Sequence, residues 1–234
     1  MKLLILDGNS VINRAYFGVK PLTNREGLYT HAIYGFLNIL ERMEKEEQPD
    51  AVCVAFDLHG PTFRHLRYDG YKATRHGMPE ELAMQMPVMK DVLKAMNIPI
   101  YECQGWEADD VIGTLAHKAS AEGYDVYMVT PDKDYGQLVG PRRHLYKQKG
   151  DGIEIVRAED ICEKYGIADP VLVRDILAIW GDTSDNIPGV AGVGEKTATG
   201  LITQYHNIDY IYDNLETLEI KEESIKAKNE LEKE

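Results

Sequence analysis

Short continuous runs of apolar residues alternate, in the first half of the chain, with longer segments of helical periodicity. The continuous runs, at residues 3–6, 51–56, 98–101 and 126–129, are typical of strands buried on both faces. The segments at 31–43, 79–96 and 107–119 repeat apolar positions every three or four residues, as amphipathic helices do. This alternation predicts an α/β fold with a mostly parallel sheet flanked by helices.

The second half of the chain has helical signals but an irregular pattern directly after Asp134. Helices are expected at residues 158–165 and 171–180, each followed by a glycine, and from Glu195 or Lys196 onward. The last residues are charged and poor in apolar side chains. We predict an α/β domain over residues 1–170, a smaller helical subdomain over 171–210, and a charged tail or linker over 211–234.

Carboxylates follow three of the predicted strands at the point where each strand ends. Asp7 and Asp57 come directly after apolar runs, and Asp132 and Asp134 follow the run at 126–129. Each acid alone could equally cap a helix or lie in a polar turn. Ligands of open α/β sheets bind at the carboxyl edge of the strands, so several acids expected at that edge favour a binding site.

The helix that begins near Glu107 brings three more acids to its first turn, namely Glu107, Asp109 and Asp110. Glu107 and Asp110 are three residues apart, and we expect them to repel each other. Carboxylates crowded in this way ionise together only when cations neutralise them, and hard divalent ions prefer oxygen ligands. The pattern therefore predicts a magnesium site.

Net charge and its distribution give opposite indications about a polyanionic partner. The chain carries a formal charge of −13, which opposes the binding of nucleic acid. Between Arg64 and Arg75 the balance is reversed, because four basic residues accompany one acid, Asp69. Lys72 and Arg75 could hold a phosphate, and Tyr71 between them could stack on a base.

A glycine-rich turn precedes the helix expected near Glu195. It contains Gly189, Gly192 and Gly194 and is followed by Lys196, while Asp182 and Asp185 lie just before it. Such a turn exposes backbone amides that can hold a phosphate, and carbonyls that can hold a monovalent cation.

Other features of the sequence narrow the class of protein. There is no apolar run long enough to cross a bilayer and no signal-peptide pattern at Met1, which predicts a cytosolic protein that does not bind membranes. Cys53, Cys103 and Cys162 lack metal-ligand spacing and are expected to be reduced thiols of the core. Nothing in the sequence requires a dimer, and we expect a monomer.

Three other classes of protein share part of this pattern. A haloacid-dehalogenase-type phosphatase also opens with a strand that ends in Asp, but it needs a second Asp where this chain has Asn9. A PIN-type ribonuclease has a similar acidic edge without the glycine turn. A DNA-binding module that does not cleave would keep the turn and would not need the acids.

The motifs LDGNS, FDLHGPTFRH, GYKATR, EADDVIGTLA, TPDKD and GDTSDNIPGVAGVGEKTA occur here in that order. In this combination the chain resembles the 5′ nuclease (flap endonuclease) superfamily over residues 3–205. Within it, the resemblance is strongest to the N-terminal 5′-3′ exonuclease domain of bacterial DNA polymerase I.

The resemblance implies two Mg²⁺ or Mn²⁺ ions. One would be held by Asp7, Asp57, Glu107 and Asp109, and the other by Asp110, Asp132, Asp134, Asp182 and Asp185, in part through water. It also implies that DNA with a 5′ end or 5′ flap is the substrate, with RNA primers as a further candidate.

The same resemblance implies roles for the basic residues and the glycine turn. Arg14, Lys72 and Arg75 would contact phosphate near the cut bond, with Arg64 as a further DNA contact and with Tyr71 beside them. Residues 60–90 would form a helical arch around the 5′ strand. Gly189, Gly192, Gly194 and Lys196 would form a helix-hairpin-helix element that grips the duplex and binds K⁺.

Overall fold

The computed structural model describes residues 1–75, 77–149 and 152–216, and these contain a six-stranded sheet in the order β3-β2-β1-β4-β5-β6. The pairs β1–β2, β1–β4, β2–β3 and β4–β5 are all parallel. The strands are β1 (Lys2–Asp7), β2 (Ala51–Ala55), β3 (Ile100–Tyr101), β4 (Asp125–Val129), β5 (Arg143–Lys149) and β6 (Gly152–Val156). The predicted α/β fold with a mostly parallel sheet is confirmed.

Helices connect the first four strands and make up most of the remaining chain. They are α1 (Gly8–Gly18), α2 (His31–Glu47), α3 (Phe63–Arg67), α4 (Glu80–Ala83), α5 (Gln85–Ala95), α6 (Ala108–Ala121), α7 (Ala158–Tyr165), α8 (Val173–Trp180), α9 (Glu195–Tyr205) and α10 (Ile208–Asp213). Short 3₁₀ turns occur at Asp134–Leu138, Pro170–Leu172 and Thr183–Asp185.

The chain divides into two compact units that interleave along the sequence. The sheet unit comprises Met1–Phe63, His76–Pro131 and Arg142–Ile155, and the helical unit comprises Arg64–Arg75, Asp132–Pro141 and Val156–Glu234. The predicted domain ranges, 1–170 and 171–210, stay a prediction. The two units are defined by contacts between residues and not by the order of residues along the chain. Of the predicted tail, residues 211–213 belong to α10, and residues 217–234 lie outside the described residues.

Alternation along β1 explains how the sheet is covered on both faces. Leu4 and Leu6 are fully buried in a cluster with residues of α1, α2 and α5. Ile5 points to the opposite face, as period-two geometry requires, and is also fully buried. Helix α6, which packs against β1 and β4, supplies the buried Ile112 and Ala116. A strand with both faces covered is therefore apolar throughout.

A buried glutamine joins two helices of the sheet unit. The side chain of Gln85, at the start of α5, is fully buried, and its Oε1 accepts hydrogen bonds from the backbone N–H groups of Ala32 (2.9 Å) and Ile33 (3.4 Å). Its Nε2 donates to the carbonyl of Glu81 at 2.9 Å. Gln85 thus satisfies the first turn of α2, which has no side-chain cap of its own.

Several predicted elements differ from the observed ones. The helix expected at 79–96 is two helices, α4 and α5, and the third strand is only the two residues Ile100–Tyr101. The irregular segment after Asp134 contains β5, which was missed because only Leu145 and Tyr146 of its residues are deeply buried while basic and polar side chains surround them. The helices at 158–165, 171–180 and from Glu195 are confirmed within one or two residues.

No helix within residues 1–75, 77–149 and 152–216 is both long enough and apolar enough to cross a membrane. The prediction of core thiols is wrong for Cys103, which is exposed because it follows the short strand β3 in a turn. Cys53 is buried in β2, and Cys162 is half-buried in α7.

The thiols should react in an order that follows their burial. Burial raises the pKa of Cys53 to about 12, which leaves almost no thiolate at neutral pH. We expect the aromatic disulfide DTNB at pH 8 to modify Cys103 at least about 100-fold faster than Cys53 in the native protein. The Cys103→Ser variant should lose the fast phase, and a second variant that also carries Cys162→Ser leaves Cys53 as the reporter. A fast phase that persists in this double variant would show that the chain opens around β2.

Candidate functional site

Asp7 is held in place by hydroxyl and amide donors at the end of β1. It is the N-cap of α1: Oδ1 accepts from the Ser10 N–H (2.9 Å), and Oδ2 accepts from the Ser10 hydroxyl (2.7 Å) and the Thr130 hydroxyl (3.1 Å). Burial raises the pKa of Asp7, while these hydrogen bonds oppose the shift. The Asp7 carboxylate is therefore fixed in direction, while its burial disfavours the charged form. A nearby cation would favour the charged form.

Asp57 is fixed by two elements of the sheet unit, although its side chain is exposed. Its Oδ1 accepts the N–H of Ala108, the first residue of α6, at 2.7 Å. Its own N–H donates to Oδ1 of Asn9 at 3.0 Å. Asn9 thus holds the loop that carries Asp57. It occupies the position where a phosphatase would need its second acid.

The predicted repulsion between Glu107 and Asp110 stays a prediction, and the structure adds a backbone contact between the two residues. The Glu107 N–H donates to Asp110 Oδ2 at 3.0 Å, as in a capping box. Glu107 is the N-cap of α6 and is buried, whereas Asp109 and Asp110 in the first turn are half-buried. The sheet unit therefore carries five of the predicted acids, at the end of β1, after β2 and at the start of α6.

The helical unit carries the other four predicted acids, and three of them interact directly. Burial, followed by the charges of Asp132 and Asp182, raises the pKa of Asp134 to about 7. Burial also acts on Asp182, but hydrogen bonds from Ser184 and the charge of Lys133, whose Nζ lies 3.9 Å from Asp182 Oδ1, leave its pKa below the ordinary value. A divalent ion close to Asp134 would oppose the shift of its pKa, because an opposite charge favours the charged form of a carboxyl group.

Asp185, the fourth acid, is surrounded by the basic segment of the same unit. Its carboxylate accepts the Tyr71 hydroxyl at 2.9 Å and pairs with the Arg75 guanidinium, and Lys72 Nζ lies 3.8 Å away. The backbone repeats the connection, since the Lys72 N–H donates to the Asp185 carbonyl at 2.8 Å and Arg75 Nε donates to the Ser184 carbonyl at 3.2 Å. Asp185 therefore orients both cations.

The predicted stacking role of Tyr71 does not fit its position. The residue is only 5% exposed, and its ring meets the edge of His65 at a centroid distance of 5.0 Å. A base could not reach the ring face without unfolding this turn. Tyr71 instead acts through its hydroxyl, which holds Asp185.

The glycine turn connects α8 to α9 as a tight hairpin. Asp182 and Ile187 form an antiparallel bridge with hydrogen bonds of 2.9 and 2.8 Å, and the Val190 N–H donates to the Ile179 carbonyl at 2.8 Å. A Cβ on Gly189 would lie 2.1 Å from the Trp180 carbonyl oxygen, so only glycine fits there. Gly192 adopts a positive φ of 76°, and Gly194 is the N-cap of α9.

The remaining basic candidates lie on three different helices. Arg14, on α1, is exposed and donates from Nη1 to the Gln148 carbonyl at 3.1 Å. Arg64, on α3, is half-buried, and Lys196, in the first turn of α9, is exposed. Their roles in DNA binding stay predictions.

The chemistry of the acids fits a divalent ion in two respects. All nine candidates offer oxygen ligands, and Asp134 Oδ1 is buried with no hydrogen-bond partner in the part of the chain that the structure describes. Among these residues no three His, Cys, Asp or Glu side chains are grouped to hold one ion. An ion would therefore complete its coordination with water or substrate oxygens, as Mg²⁺ commonly does.

The sequence matches two family models along its length. The model described as "5′-3′ exonuclease, N-terminal resolvase-like domain" matches residues 2–166, and "5′-3′ exonuclease, C-terminal SAM fold" matches residues 168–234. The chain belongs to the 5′-3′ exonuclease family. This confirms the family predicted from the motifs.

Two kinds of relative in this family differ in length. The 5′-3′ exonuclease of Aquifex aeolicus is 41% identical over 214 residues, which cover 92% of this chain and 73% of that protein. DNA polymerase I of Bacillus caldotenax is 41% identical over 227 residues, which cover 96% of this chain and 26% of the polymerase. The chain thus spans about a quarter of the length of its polymerase relatives.

Solved structures share the fold of this exonuclease-family chain at low identity. The T5 D15 protein crystallised with metal ions superposes with a TM-score of 0.77 at 21% identity, covering 99% of this chain and 85% of that one. The catalytic core of Rad2 with DNA substrate gives 0.64 at 16% identity, covering 99% and 71%. They confirm the fold, while the ligand roles of the nine acids stay predictions.

Sequence reasoning missed the hydrogen bonds that hold the acids in place. Ser10, Thr130 and Asn9 each bond an acid or its loop, and Tyr71, which was predicted as a site residue in another role, holds Asp185. Ser10 could have been found, because a donor three residues after a strand-ending Asp marks a helix N-cap. The contacts of Thr130 and Tyr71 could not, since their partners are 123 and 114 residues away.

The hairpin glycines should differ sharply in their tolerance of alanine. Gly189→Ala would force a Cβ into the Trp180 carbonyl, and we expect it to lower the free energy of unfolding by about 3 kcal/mol. Gly194→Ala meets no atom within 4 Å and has an ordinary φ, so its cost should stay below about 1 kcal/mol. Urea unfolding midpoints measure both. Equal losses would mean that the hairpin does not pack as described.

Proposed function

We propose that this chain hydrolyses phosphodiesters of DNA near a 5′ end or at a 5′ flap junction, using divalent metal ions. The observation that carries the proposal is the set of nine carboxylates at strand ends and helix starts, in a chain that belongs to the 5′-3′ exonuclease family. A module that only bound DNA would have no use for so many buried or half-buried acids, which oppose a polyanion.

The ions in this proposal are two Mg²⁺ or Mn²⁺, with the acids assigned to them as the family resemblance implies. When bound, such ions lower the pKa of an attacking water and stabilise the leaving 3′ oxygen. Support comes from the raised pKa of Asp134 and its unpartnered Oδ1, since both are relieved by a nearby cation. Divalent zinc has been bound to the T5 5′-exonuclease, a neighbour in fold.

The basic residues of the helical unit would hold the phosphate that is cut. Lys72 and Arg75 are positioned through Asp185, so their charges are already oriented before a phosphate arrives. Arg14 and Arg64 are proposed as further phosphate contacts. The hairpin with Gly189, Gly192, Gly194 and Lys196 would bind the duplex backbone, with K⁺ at its carbonyls.

Several finer points belong to the same proposal. The substrate is DNA with a 5′ end or 5′ flap, and RNA primers are a second substrate. The protein acts as a monomer in the cytosol, residues 60–90 form an arch, and the chain works either within a polymerase or alone. Relatives of both kinds exist, and the nuclease step would be the same in each.

Cleavage of a 5′-labelled single-flap DNA junction tests the proposed activity. We expect cutting at the junction in Mg²⁺ and none in EDTA. Asp132→Ala should lower the single-turnover rate by about 1,000-fold, because a catalytic ion supplies several kcal/mol to the transition state. DNA binding, measured by anisotropy in EDTA, should persist.

Asp125→Asn is the matched control for this variant. Asp125 begins β4, whereas Asp132 follows the end of that strand, and the Asp125 side chain is half exposed and forms an ion pair of 3.6 Å with Arg142. This variant should cut at the rate of the unaltered protein. Binding without metal-dependent cutting would reject the nuclease and favour a DNA-recognition module. Equal rates for the two variants would reject the metal assignment.

A further inference from the structure

An exposed aromatic pair lies next to the acids of the sheet unit. The Trp106 side chain is 49% exposed, and its ring lies 4.8 Å from that of Phe63, centroid to centroid, at an interplanar angle of 51°. A tilted partner supports one side of the indole and leaves about half of its surface open to a ligand. Large aromatic rings exposed in this way commonly mark a binding site.

Backbone hydrogen bonds fix the turn that carries both rings. The Trp106 N–H donates to the Cys103 carbonyl at 3.2 Å, and the Phe63 N–H donates to the Gly105 carbonyl at 3.0 Å. Gly105 has a positive φ of 80°, which lets the chain make the turn between the two bonds. Because the backbone of this turn is already fixed, it loses little conformational entropy on binding, and the pair suits a stacking platform.

The chain connects this platform directly to the acids. Trp106 precedes Glu107, the N-cap of α6, and the next N–H, from Ala108, is bonded to Asp57 at 2.7 Å. Consecutive Cα atoms are about 3.8 Å apart, so the Trp106 Cα lies at most about 7.6 Å from that of Ala108. Stacked nucleotides rise by about 3.4 Å, which places the platform one or two nucleotides from a phosphate held at these acids.

The chemistry of the indole selects the part of a nucleotide that can bind. The ring carries no charge that could pair with a phosphate, whereas the face of a base is uncharged and stacks well on indole. A base inside a duplex is covered on both faces by its neighbours, so the platform favours a base that is unpaired.

We propose that Trp106, supported by Phe63, stacks on an unpaired base within one or two nucleotides of the phosphate that is cut. Trp106 is then a residue that selects substrates with an unpaired 5′ segment. This inference rests on the proposed nuclease function and adds a binding subsite to it.

An abasic substrate separates stacking from a structural role. Two flap substrates are compared, one intact and one with abasic sites at the first two unpaired positions. On the intact flap, Trp106→Ala should raise KM about 10-fold, which corresponds to about 1.4 kcal/mol, and Trp106→Phe should recover most of the loss. On the abasic flap, all three proteins should show the same KM.

Fluorescence reports the stacking without any cleavage. The chain has two tryptophans, Trp106 and Trp180, so Trp180→Phe leaves Trp106 as the sole tryptophan, whose emission can be excited selectively over that of tyrosine. In EDTA, the intact flap should quench this emission and the abasic flap should not, while anisotropy of labelled DNA shows that both bind. Tyr212→Ala, which removes a side chain that is 44% exposed on α10, serves as the control for loss of an exposed ring.

Each outcome supports or rejects the stacking proposal. Cleavage that is equally sensitive to Trp106→Ala on both flaps, or quenching that is equal for both, would reject stacking and leave the nuclease intact. Binding and metal-dependent cutting without any quenching would do the same. Failure to bind or cut any flap would reject the proposed function together with this subsite.

Discussion

The cost of burying a charge is the physical constraint on which the placement of the acids depends. A carboxylate that is buried without compensation protonates or moves away. In the sheet unit, fixed donors on Ser10 and Thr130 compensate the buried Asp7. The exposed Asp57 is oriented by the Ala108 N–H. These donors hold single oxygens of each acid and set its direction. The fold thus fixes these carboxylates in position before any cation is bound.

The helical unit places its acids in two other ways. Asp185 is compensated by Arg75, Lys72 and the Tyr71 hydroxyl, which are cations and a donor from the same unit. Asp134 is less compensated: burial, followed by the charges of Asp132 and Asp182, raises its pKa to about 7. A divalent ion close to Asp134 would favour its charged form, because an opposite charge lowers the pKa of a carboxyl group.

The periodicity of apolar residues predicted those strands and helices whose formation depends mainly on burial. The strands β1 and β4 and the helix α6 were placed within one or two residues, because each is apolar on every face that is covered. Strand β5 pairs with β4 but was missed, because basic and polar residues surround its buried Leu145 and Tyr146 in the sequence. In the candidate site, the residue types were predictable, but their hydrogen bonds were not. The capping box of Glu107 with Asp110 adds a backbone contact that no charge count reveals.

The position of Asp185 changes what the acids of the helical unit can do. If this carboxylate is occupied by Arg75 and Tyr71, the acids left to hold an ion there are Asp132, Asp134 and Asp182. That number is sufficient, since Mg²⁺ is usually bound by one or two carboxylates and keeps several water ligands. Asp185 then contributes by orientation, because it fixes a lysine and an arginine whose long side chains would otherwise sample many rotamers. A phosphate that took over these cations from Asp185 would bind to groups already in position, so less conformational entropy would be lost on binding.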